Sequence, residues 1–305
     1  MSSRIHCVFL LTGVFFTTSN GLAADGEWSA ALNNECVSPD SAWIWCEDFE
    51  TDRSADYFEG AADRQPAAGI NGSVGSAWHF TQQSQSASGI KIAFGRTPGN
   101  YFKPVDGGTN NYRDIYWRIF VFVPGDWVGN GADKLSRAMI LAGDNWSQAM
   151  IAHVWSGTDP GNSSHLLAID PTSGTDAAGN LVTTQYNDSD HLRWLGIKYA
   201  TFAIFSAENF GTWHCVESRV RLNDPDQANG IFQLYINNNL EADSTGLNWV
   251  GNYGDYGINA VFFENYWNNG SPVDQTRYFD NLVISTRRIG CGTSVPTPMP
   301  PGNLN

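Results

Sequence analysis

The sequence has few basic residues, few cysteines and no long apolar run after its first 24 positions. It contains 17 lysines and arginines against 31 aspartates and glutamates, which gives a formal net charge of -14 at pH 7. Such an acidic surface argues against binding to nucleic acid or to an anionic membrane, because both are negatively charged. An acidic polysaccharide is disfavoured as well, unless basic residues gather in one groove. No later segment approaches the roughly 20 apolar residues of a membrane-spanning helix.

The first 24 residues have the pattern of a secretory signal peptide. Arg4 precedes an apolar run over residues 8–16, and small residues lead up to Ala23 and Ala24. This is the order of charged, apolar and cleavage regions in a signal peptide. We therefore expect cleavage near Ala23 or Ala24 and a soluble, secreted protein, either extracellular or periplasmic, with a charge one unit more negative because Arg4 is removed.

Cysteine usage agrees with export. Removal of residues 1–24 leaves Cys36, Cys46, Cys215 and Cys291. An even number of cysteines in an oxidising compartment favours two disulfides, for which three pairings are possible. We predict the pairs Cys36–Cys46 and Cys215–Cys291. A metal site is the competing interpretation, but the spacing includes no C-x-x-C pair.

The chain between the signal and the tail reads as one all-β domain, over residues 25–291. No long amphipathic helical pattern is present, and runs of alternating character are separated by Gly, Asn and Asp. Such a pattern is typical of a sandwich or jelly roll. The predicted strands are 43–50, 76–80, 89–94, 114–123, 134–141, 148–155, 165–169, 194–203, 213–222, 231–236, 260–267 and 277–286. Residues 292–305 are rich in proline, and we expect them to form a disordered tail.

Aromatic residues are abundant, with 12 Trp, 11 Tyr and 17 Phe. Two stacked sheets need bulky side chains between them, so many of these must be core. Those near loops have an alternative role as a platform on which sugar rings stack. The candidates for this role are Trp127, Trp146, Trp155, Trp249 and Trp267.

Four segments carry a resemblance to a known family. They are residues 112–124 (YRDIYWRIFVFVP), 133–137 (DKLSR), 213–223 (WHCVESRVRLN) and 278–283 (YFDNLV). Together they resemble the concanavalin-A-like jelly rolls of the polysaccharide lyases, namely the heparin-lyase-I-like, glucuronan-lyase-like and alginate-lyase-like groups. The resemblance covers roughly residues 45–290 and implies two antiparallel sheets and cleavage of a uronate-containing polysaccharide. Laminin-G-like and carbohydrate-binding modules share this frame, so a non-catalytic sugar-binding module is the alternative.

The sequence also departs from related families. It lacks the R-x-E-L-R and Q-I-H strands of one alginate lyase group, although Ala152-His153-Val154-Trp155 lies on a comparable strand. It also lacks the E-x-D-x-x-E run of the jelly-roll glycoside hydrolases, which disfavours hydrolysis.

The chemistry of a uronate lyase defines which side chains to look for. β-Elimination requires a group that neutralises the carboxylate, a base that takes the C5 proton and an acid that protonates the leaving oxygen. It requires no cofactor and no catalytic metal. Arg, Lys, Asn or Gln suits the first task, and His or Tyr suits the other two.

Period-two alternation shows which of these side chains share a face. The matched sets are Tyr116 with Arg118, His153 with Trp155, Glu217 with Arg219, and Glu264 with Tyr266. We expect these sets to line one polar groove, in which Tyr116, Trp155, Glu217, Arg219 and Glu264 bind substrate. A polysaccharide is then the expected partner of a monomeric protein.

Four residues are predicted to be catalytic. Arg118 or Lys134 meets the substrate carboxylate, His153 acts as the base, and Tyr266 transfers the second proton. Each has a structural alternative: Arg118 in an ion pair on a solvated face, His153 and Tyr266 packed within their strands, and Lys134 as an ordinary solvated lysine.

The two ends of the domain suggest a structural Ca²⁺ ion. Residues 47–50 lie near the first strand, and Asp280 and Asn281 lie in the last. This resembles the arrangement by which many carbohydrate-binding jelly rolls hold a Ca²⁺ ion between their terminal strands. Carboxylate oxygens suit Ca²⁺, and a bound ion would join the chain ends. Glu50 and Asp280 are the expected ligands, and plain surface acids are the alternative.

Overall fold

A computed structural model describes residues 28–86, 88–129, 131–157 and 165–292. The predicted signal peptide, and the predicted tail from residue 293 onward, lie outside these ranges. Within them, helical structure is limited to short 3-10 helices at Ala30–Val37, Ser54–Asp56, Ile70–Gly72, Asn100–Phe102 and Ala207–Asn209. None of the described helices has the length and apolar character needed to cross a membrane.

Strands account for most of the regular secondary structure in the described residues. In chain order they are β1 (Trp43–Glu47), β2 (Glu59–Gly60), β3 (Arg64–Gln65), β4 (Gly75–Phe80), β5 (Ser88–Ala93), β6 (Asp114–Phe122), β7 (Asp133–Leu141), β8 (Gln148–Ser156), β9 (Leu167–Ser173), β10 (Arg193–Trp194), β11 (Lys198–Tyr199), β12 (Trp213–Arg221), β13 (Gly230–Ile236), β14 (Asn239–Leu247), β15 (Ala260–Trp267) and β16 (Gln275–Ser285).

These strands form two antiparallel sheets. The first sheet has the order β14-β13-β12-β6-β16-β4-β3, with β1 also paired to β16. The second has the order β10-β9-β8-β7-β15-β5-β2, with β11 also paired to β9. Neighbours such as β6 and β16 come from distant parts of the chain, which is typical of a jelly roll. The predicted all-β sandwich is confirmed.

The main core lies between the two sheets. Alternate residues of β6, including Ile115, Trp117 and Ile119, contribute one side of it, and Ala138 and Ile140 of β7 contribute to the other. The Trp117 Nε1–H group donates a hydrogen bond of 2.9 Å to the Ser136 hydroxyl of the second sheet. Tryptophan thus fills the core while its polar atom is satisfied, as buried indoles require.

The outer face of the first sheet is covered rather than open. Phe120 and Phe122 of β6 point away from the main core and pack with Leu32 and Trp213 in a second apolar cluster. The ring of Trp28 meets that of Phe120 edge-on, with centroids 5.0 Å apart. Two outward aromatic residues on a strand need such a cover, and the N-terminal segment supplies it.

Both predicted disulfides are present in the structure. Cys36 is bonded to Cys46, which joins the Ala30–Val37 helix to β1. Cys215 of β12 is bonded to Cys291, which follows the last strand. Each bridge fixes a terminal segment against the first sheet, so the cover over that sheet is covalently held.

Some strands differ from the sequence prediction. The predicted strand 194–203 is two short edge strands, β10 and β11, because the intervening residues leave the ladder. The prediction missed β14, which forms a hairpin with β13 through Asn237 and Asn238, both with positive φ. Positive φ at two successive asparagines is typical of a tight hairpin turn. The strand after it is a polar edge strand with weak β propensity, which concealed it.

Candidate active site

The outward face of the second sheet carries the titratable groups predicted for catalysis. We call this surface the open face and define it by the side chains of Lys91, Lys134, Arg137, His153, Asp170, Glu264 and Tyr266. Their inward neighbours Val154, Ile169 and Phe263 pack in the main core. Since side chains alternate along a strand, the groups between them point away from the core.

A β-bulge brings two cations onto the open face. Lys134 opposes Trp155 and Arg137 opposes His153, and the register of β7 on β8 shifts by one residue between Lys134 and Ser136. Strict alternation would turn residues three apart to opposite faces. The extra residue of the bulge restores them to the same face, which is a known use of bulges near sites.

A cleft of about 360 Å³ opens on this face. Its lining includes Lys91, Lys134, Arg137, Tyr186, Glu264 and Tyr266. Further along β7 and β15, the same face carries an apolar cluster that includes Phe102, Met139 and Phe262. The cleft is therefore a polar recess bounded at one end by aromatic packing, which is the usual composition of a small ligand site.

Arg137 is held by groups on three sides. Its guanidinium lies 3.0 Å from a Glu264 carboxylate oxygen and donates a 3.0 Å hydrogen bond to the Asn187 side-chain oxygen. It also donates to the Tyr186 hydroxyl. Burial raises the pKa of Tyr186 to about 12, although the charge of Arg137 opposes the shift. Arg137 is thus oriented in the cleft, with its charge largely matched by Glu264.

Lys134 and Tyr266 lie side by side on neighbouring strands. They oppose one another in the β7–β15 pairing, and the lysine Nζ is 4.7 Å from the centroid of the tyrosine ring. Burial lowers the pKa of Lys134, and the nearby Glu264 charge opposes this shift. Within the described residues Lys134 forms no ion pair, so its positive charge remains available to a ligand.

His153 is buried but oriented. Its Nδ1 atom lies 3.2 Å from the backbone carbonyl oxygen of Asp170. A carbonyl oxygen only accepts, so Nδ1 carries the proton of the neutral ring and Nε2 carries the lone pair. Burial lowers the pKa of His153 well below 6.5, and the charges of Arg137 and Lys134 add to that shift. The ring is therefore a neutral proton acceptor at neutral pH.

Aromatic rings extend the open face beyond His153. The rings of His153 and Trp155 are stacked with centroids 4.8 Å apart, and the Trp194 ring lies 5.9 Å from that of Trp155 at an angle of 17°. Trp194 is 49% exposed. Of the other candidate stacking residues, Trp127, Trp249 and Trp267 are buried in the main core. The half-buried Trp146 ring lies 5.0 Å from the Lys91 Nζ atom.

The structure separates Arg118 from this cluster and corrects the expectation of one common groove. Arg118 is on the outer face of the first sheet, buried under the N-terminal helix, where it forms an ion pair with Glu35. It also donates a 3.1 Å hydrogen bond to the Gly290 carbonyl oxygen. Its burial and its position on the other sheet remove it from the candidate site.

Three predicted substrate-binding residues are likewise on the first sheet. Arg219 forms a bidentate pair with Asp114, at 3.0 and 2.7 Å, and lies over the Tyr116 ring. Glu217 is buried and accepts hydrogen bonds from the backbone N–H groups of residues 289 and 290. Period-two alternation fixes the face of a strand but not the sheet to which the strand belongs.

The surroundings of Asp280 do not fit a calcium ion. One of its oxygens accepts hydrogen bonds from the Ile70 N–H group, at 2.8 Å, and from the Ser73 hydroxyl. The other accepts a bond from the Asn281 N–H group. Glu50 accepts a separate bond of 2.8 Å from the Val74 N–H group. Ca²⁺ requires a shell of oxygen ligands, whereas these carboxylates face hydrogen-bond donors.

The sequence prediction missed Arg137, Asp170, Tyr186 and Trp194 as site residues. Arg137 lies three residues after Lys134 in the DKLSR segment, so strict alternation places the two side chains on opposite faces. The bulge that puts them on one face cannot be recognised from the alternation of the sequence. Asp170 and Trp194 lay in or next to predicted strands, and their register partners were unknown. Tyr186 lies in a loop, and the periodicity of a sequence does not indicate which part of the sheet a loop packs against.

Comparisons with known proteins identify the fold. No family model matches the chain, and no curated protein matches it. Among solved structures, endo-β-1,4-glucuronan lyase from the fungus Trichoderma reesei has a TM-score of 0.52 and 10% identity, over 80% of this chain and 96% of that one. The marine PL-14 alginate lyase from Aplysia kurodai has a TM-score of 0.54 and 12% identity, over 81% of this chain and all of the other. The chain therefore has the jelly-roll fold of these polysaccharide lyases.

Proposed function

We propose that the protein is a secreted polysaccharide lyase that cleaves a uronic-acid-containing glycan by β-elimination. The observation that carries this proposal is the placement of Lys134, His153 and Tyr266 on one open face. Its two disulfides suit an oxidising compartment and support secretion. The glucuronan and alginate lyases that share its fold act on polymers of the proposed class.

In this proposal each of the three residues has one task. The Lys134 ammonium meets the uronate carboxylate and stabilises the negative charge that develops when the C5 proton leaves. Nε2 of His153 accepts that proton, since Nδ1 already carries a proton, which it donates in a hydrogen bond to the Asp170 carbonyl oxygen. The C4–O bond breaks as the C4=C5 double bond forms, and Tyr266 gives its phenolic proton to the leaving oxygen.

The strand order suits a substrate that lies across β7. His153 is on β8 and Tyr266 is on β15, the two neighbours of β7. Neighbouring strands are about 4.8 Å apart, so the two backbones are about 10 Å apart, with Lys134 between them. A sugar ring over Lys134 then lies next to the Tyr266 phenol, which opposes Lys134, and diagonally across from the His153 imidazole, which opposes Arg137.

Release of unsaturated uronate tests the proposal. The mature protein is incubated with glucuronan, alginate, a heparin-like glycan and a neutral glycan, and the ultraviolet absorbance of the new double bond is followed. We expect product from at least one uronate polymer and none from the neutral glycan. His153→Ala and Tyr266→Phe should each lower the rate by about 10²-fold, as the loss of a positioned proton-transfer group does.

Matched controls come from the first sheet. Tyr278→Phe on β16 and His79→Ala on β4 make the same chemical changes far from the open face, and both should leave the rate unchanged. Near-wild-type rates in the His153 and Tyr266 variants would refute the assignments. Binding of a uronate polymer without any product would instead favour a non-catalytic sugar-binding module.

A further inference from the structure

The open face carries little net charge for a surface that handles a polyanion. The strands of the second sheet place three cations on it, and two of these are matched by carboxylates. Lys91 is paired with Glu59, and Arg137 is paired with Glu264. Lys134 alone has no carboxylate partner within the described residues. The face therefore offers one uncommitted positive charge, which suffices for one uronate.

The remaining cations of this sheet do not add to that charge. Arg193 opposes Ser173 and Lys198 opposes Ile169 in their pairings with β9. Ile169 packs in the main core, and paired residues of antiparallel strands point to the same side of the sheet. Arg193 and Lys198 therefore point away from the open face.

An acidic group stands next to the proposed base. Asp170 opposes His153 in the β8–β9 pairing, so its side chain shares the open face. It is 7% exposed and forms no ion pair in the part of the chain that the structure describes. Burial raises the pKa of Asp170 to about 6, so it is ionised at neutral pH. A carboxylate here repels a second uronate but accepts hydrogen bonds from sugar hydroxyl groups.

An aromatic platform adjoins Asp170. Trp194 opposes Thr172, two residues along β9 from Asp170 and on the same face. Its exposed ring lies nearly parallel to those of His153 and Trp155. Apolar C–H faces of uncharged sugar rings stack on such rings.

We infer that Asp170, Trp155 and Trp194 form a subsite for a neutral sugar beside the uronate held at Lys134. The substrate is then a glycan in which uronates are separated by neutral sugars, rather than a uronate homopolymer or a sulfated glycan. This inference rests on the proposed function for the reaction at Lys134. The formal net charge of -14 agrees with it, because the protein as a whole repels a dense polyanion.

A pair of polymers with one backbone tests the inference. Glucuronan is compared with glucuronan in which about half of the carboxylates have been reduced to alcohols. We expect kcat/KM per remaining uronate to be about fivefold higher on the partly reduced polymer, since one charge repulsion of about 1 kcal/mol is removed. An equal or higher value on the unreduced polymer, or preferential cleavage of a sulfated glycan, would overturn the inference.

Variants locate the effect in the subsite. Asp170→Asn should raise kcat/KM on glucuronan about fivefold and change it less than about twofold on the partly reduced polymer. Asp243→Asn, at an exposed aspartate of β14 in the first sheet, changes the net charge equally and should leave the ratio between polymers unchanged.

Trp194→Ala should weaken binding of the partly reduced polymer about tenfold, and Trp194→Phe should restore most of it. An unchanged ratio in Asp170→Asn together with unchanged binding in Trp194→Ala contradicts the subsite.

Failure of the subsite and failure of the proposed function give different results. If no polymer yields unsaturated product, the lyase proposal fails, and calorimetric binding of the two glucuronans still tests the subsite. Tighter binding of the partly reduced polymer, lost in Trp194→Ala, supports a neutral-sugar site. Equal binding of both polymers overturns it. If glucuronan is cleaved best, the lyase proposal stands and the subsite does not.

Discussion

His153 combines burial with a fixed orientation, and the two together determine which nitrogen accepts a proton. Burial lowers the pKa of the ring, and the bond to the Asp170 carbonyl places the proton on Nδ1. Packing against Trp155 restricts rotation. Packing of His153 is therefore compatible with its proposed role as a base, because the packing holds the ring in the tautomer that has the lone pair on Nε2.

The lowered pKa of His153 predicts how activity depends on pH. A base with a lowered pKa releases its proton at lower pH, so its active form persists where an ordinary histidine is already protonated. We expect kcat to stay constant from pH 8 down to below pH 6 and to fall only at more acidic values. A profile of kcat between pH 4 and pH 8 provides the measurement. A kcat that falls to half of its maximum near pH 6.5 would contradict this prediction.

Glu264 sets how much positive charge the cleft presents. Its carboxylate lies against Arg137, so Glu264→Gln keeps the size and a hydrogen-bond acceptor but releases the charge of the guanidinium. We expect KM for glucuronan to fall by about fivefold, corresponding to about 1 kcal/mol for the positive charge released beside the substrate carboxylate. KM measurements on wild type and variant check this, with Asp243→Asn as the charge control. An unchanged or higher KM argues against Arg137 facing the substrate.

At the scale of single strands, alternation correctly predicted which side chains share a face of a strand. It did not predict to which of the two sheets a strand belongs. It correctly grouped Glu264 with Tyr266 and His153 with Trp155, because a strand's side chains alternate whatever it pairs with. It also grouped Tyr116 with Arg118, which is correct for β6. Which strands become neighbours depends on contacts between distant segments, and these leave no local pattern in the sequence.

The β7 bulge illustrates a second limit at this scale. One additional residue between Lys134 and Arg137 turns both cations outward. Bulges arise where the two strands of a pair accommodate different residue counts, so they depend on the partner strand. From the sequence of β7 alone, either Lys134 or Arg137 can be predicted as a cleft residue, but not both.

The N-terminal helix is predicted to stabilise the first sheet through its ion pair with β6. Glu35→Gln removes the carboxylate that is ion-paired with the buried Arg118 guanidinium, and we expect the free energy of unfolding to fall by about 3 kcal/mol. Urea denaturation measures the change. The exposed pair of Arg287 with Asp40 supplies the control, where Arg287→Gln should cost less than about 1 kcal/mol. Equal losses in both variants would show that burial does not distinguish these pairs.

At the scale of the whole molecule, the two outer faces of the sandwich differ in how far other segments cover them. The first sheet is covered by segments that two disulfides attach to it, whereas the second exposes its cleft. The all-β fold and the cysteine pairs were predictable from composition, strand-like runs and spacing. The division into covered and open faces was not, since it depends on where the terminal segments and the loop that carries Tyr186 fold back.

The proposed reaction depends on Lys134, which has no carboxylate partner within the described residues. The most direct test is the rate at which unsaturated uronate forms from a uronate-containing glycan with wild-type protein and with Lys134→Gln, alongside Lys103→Gln at an exposed loop position. The prediction is product from wild type, a loss of about 10²-fold in Lys134→Gln and no change in Lys103→Gln. Wild-type rates in Lys134→Gln would contradict it.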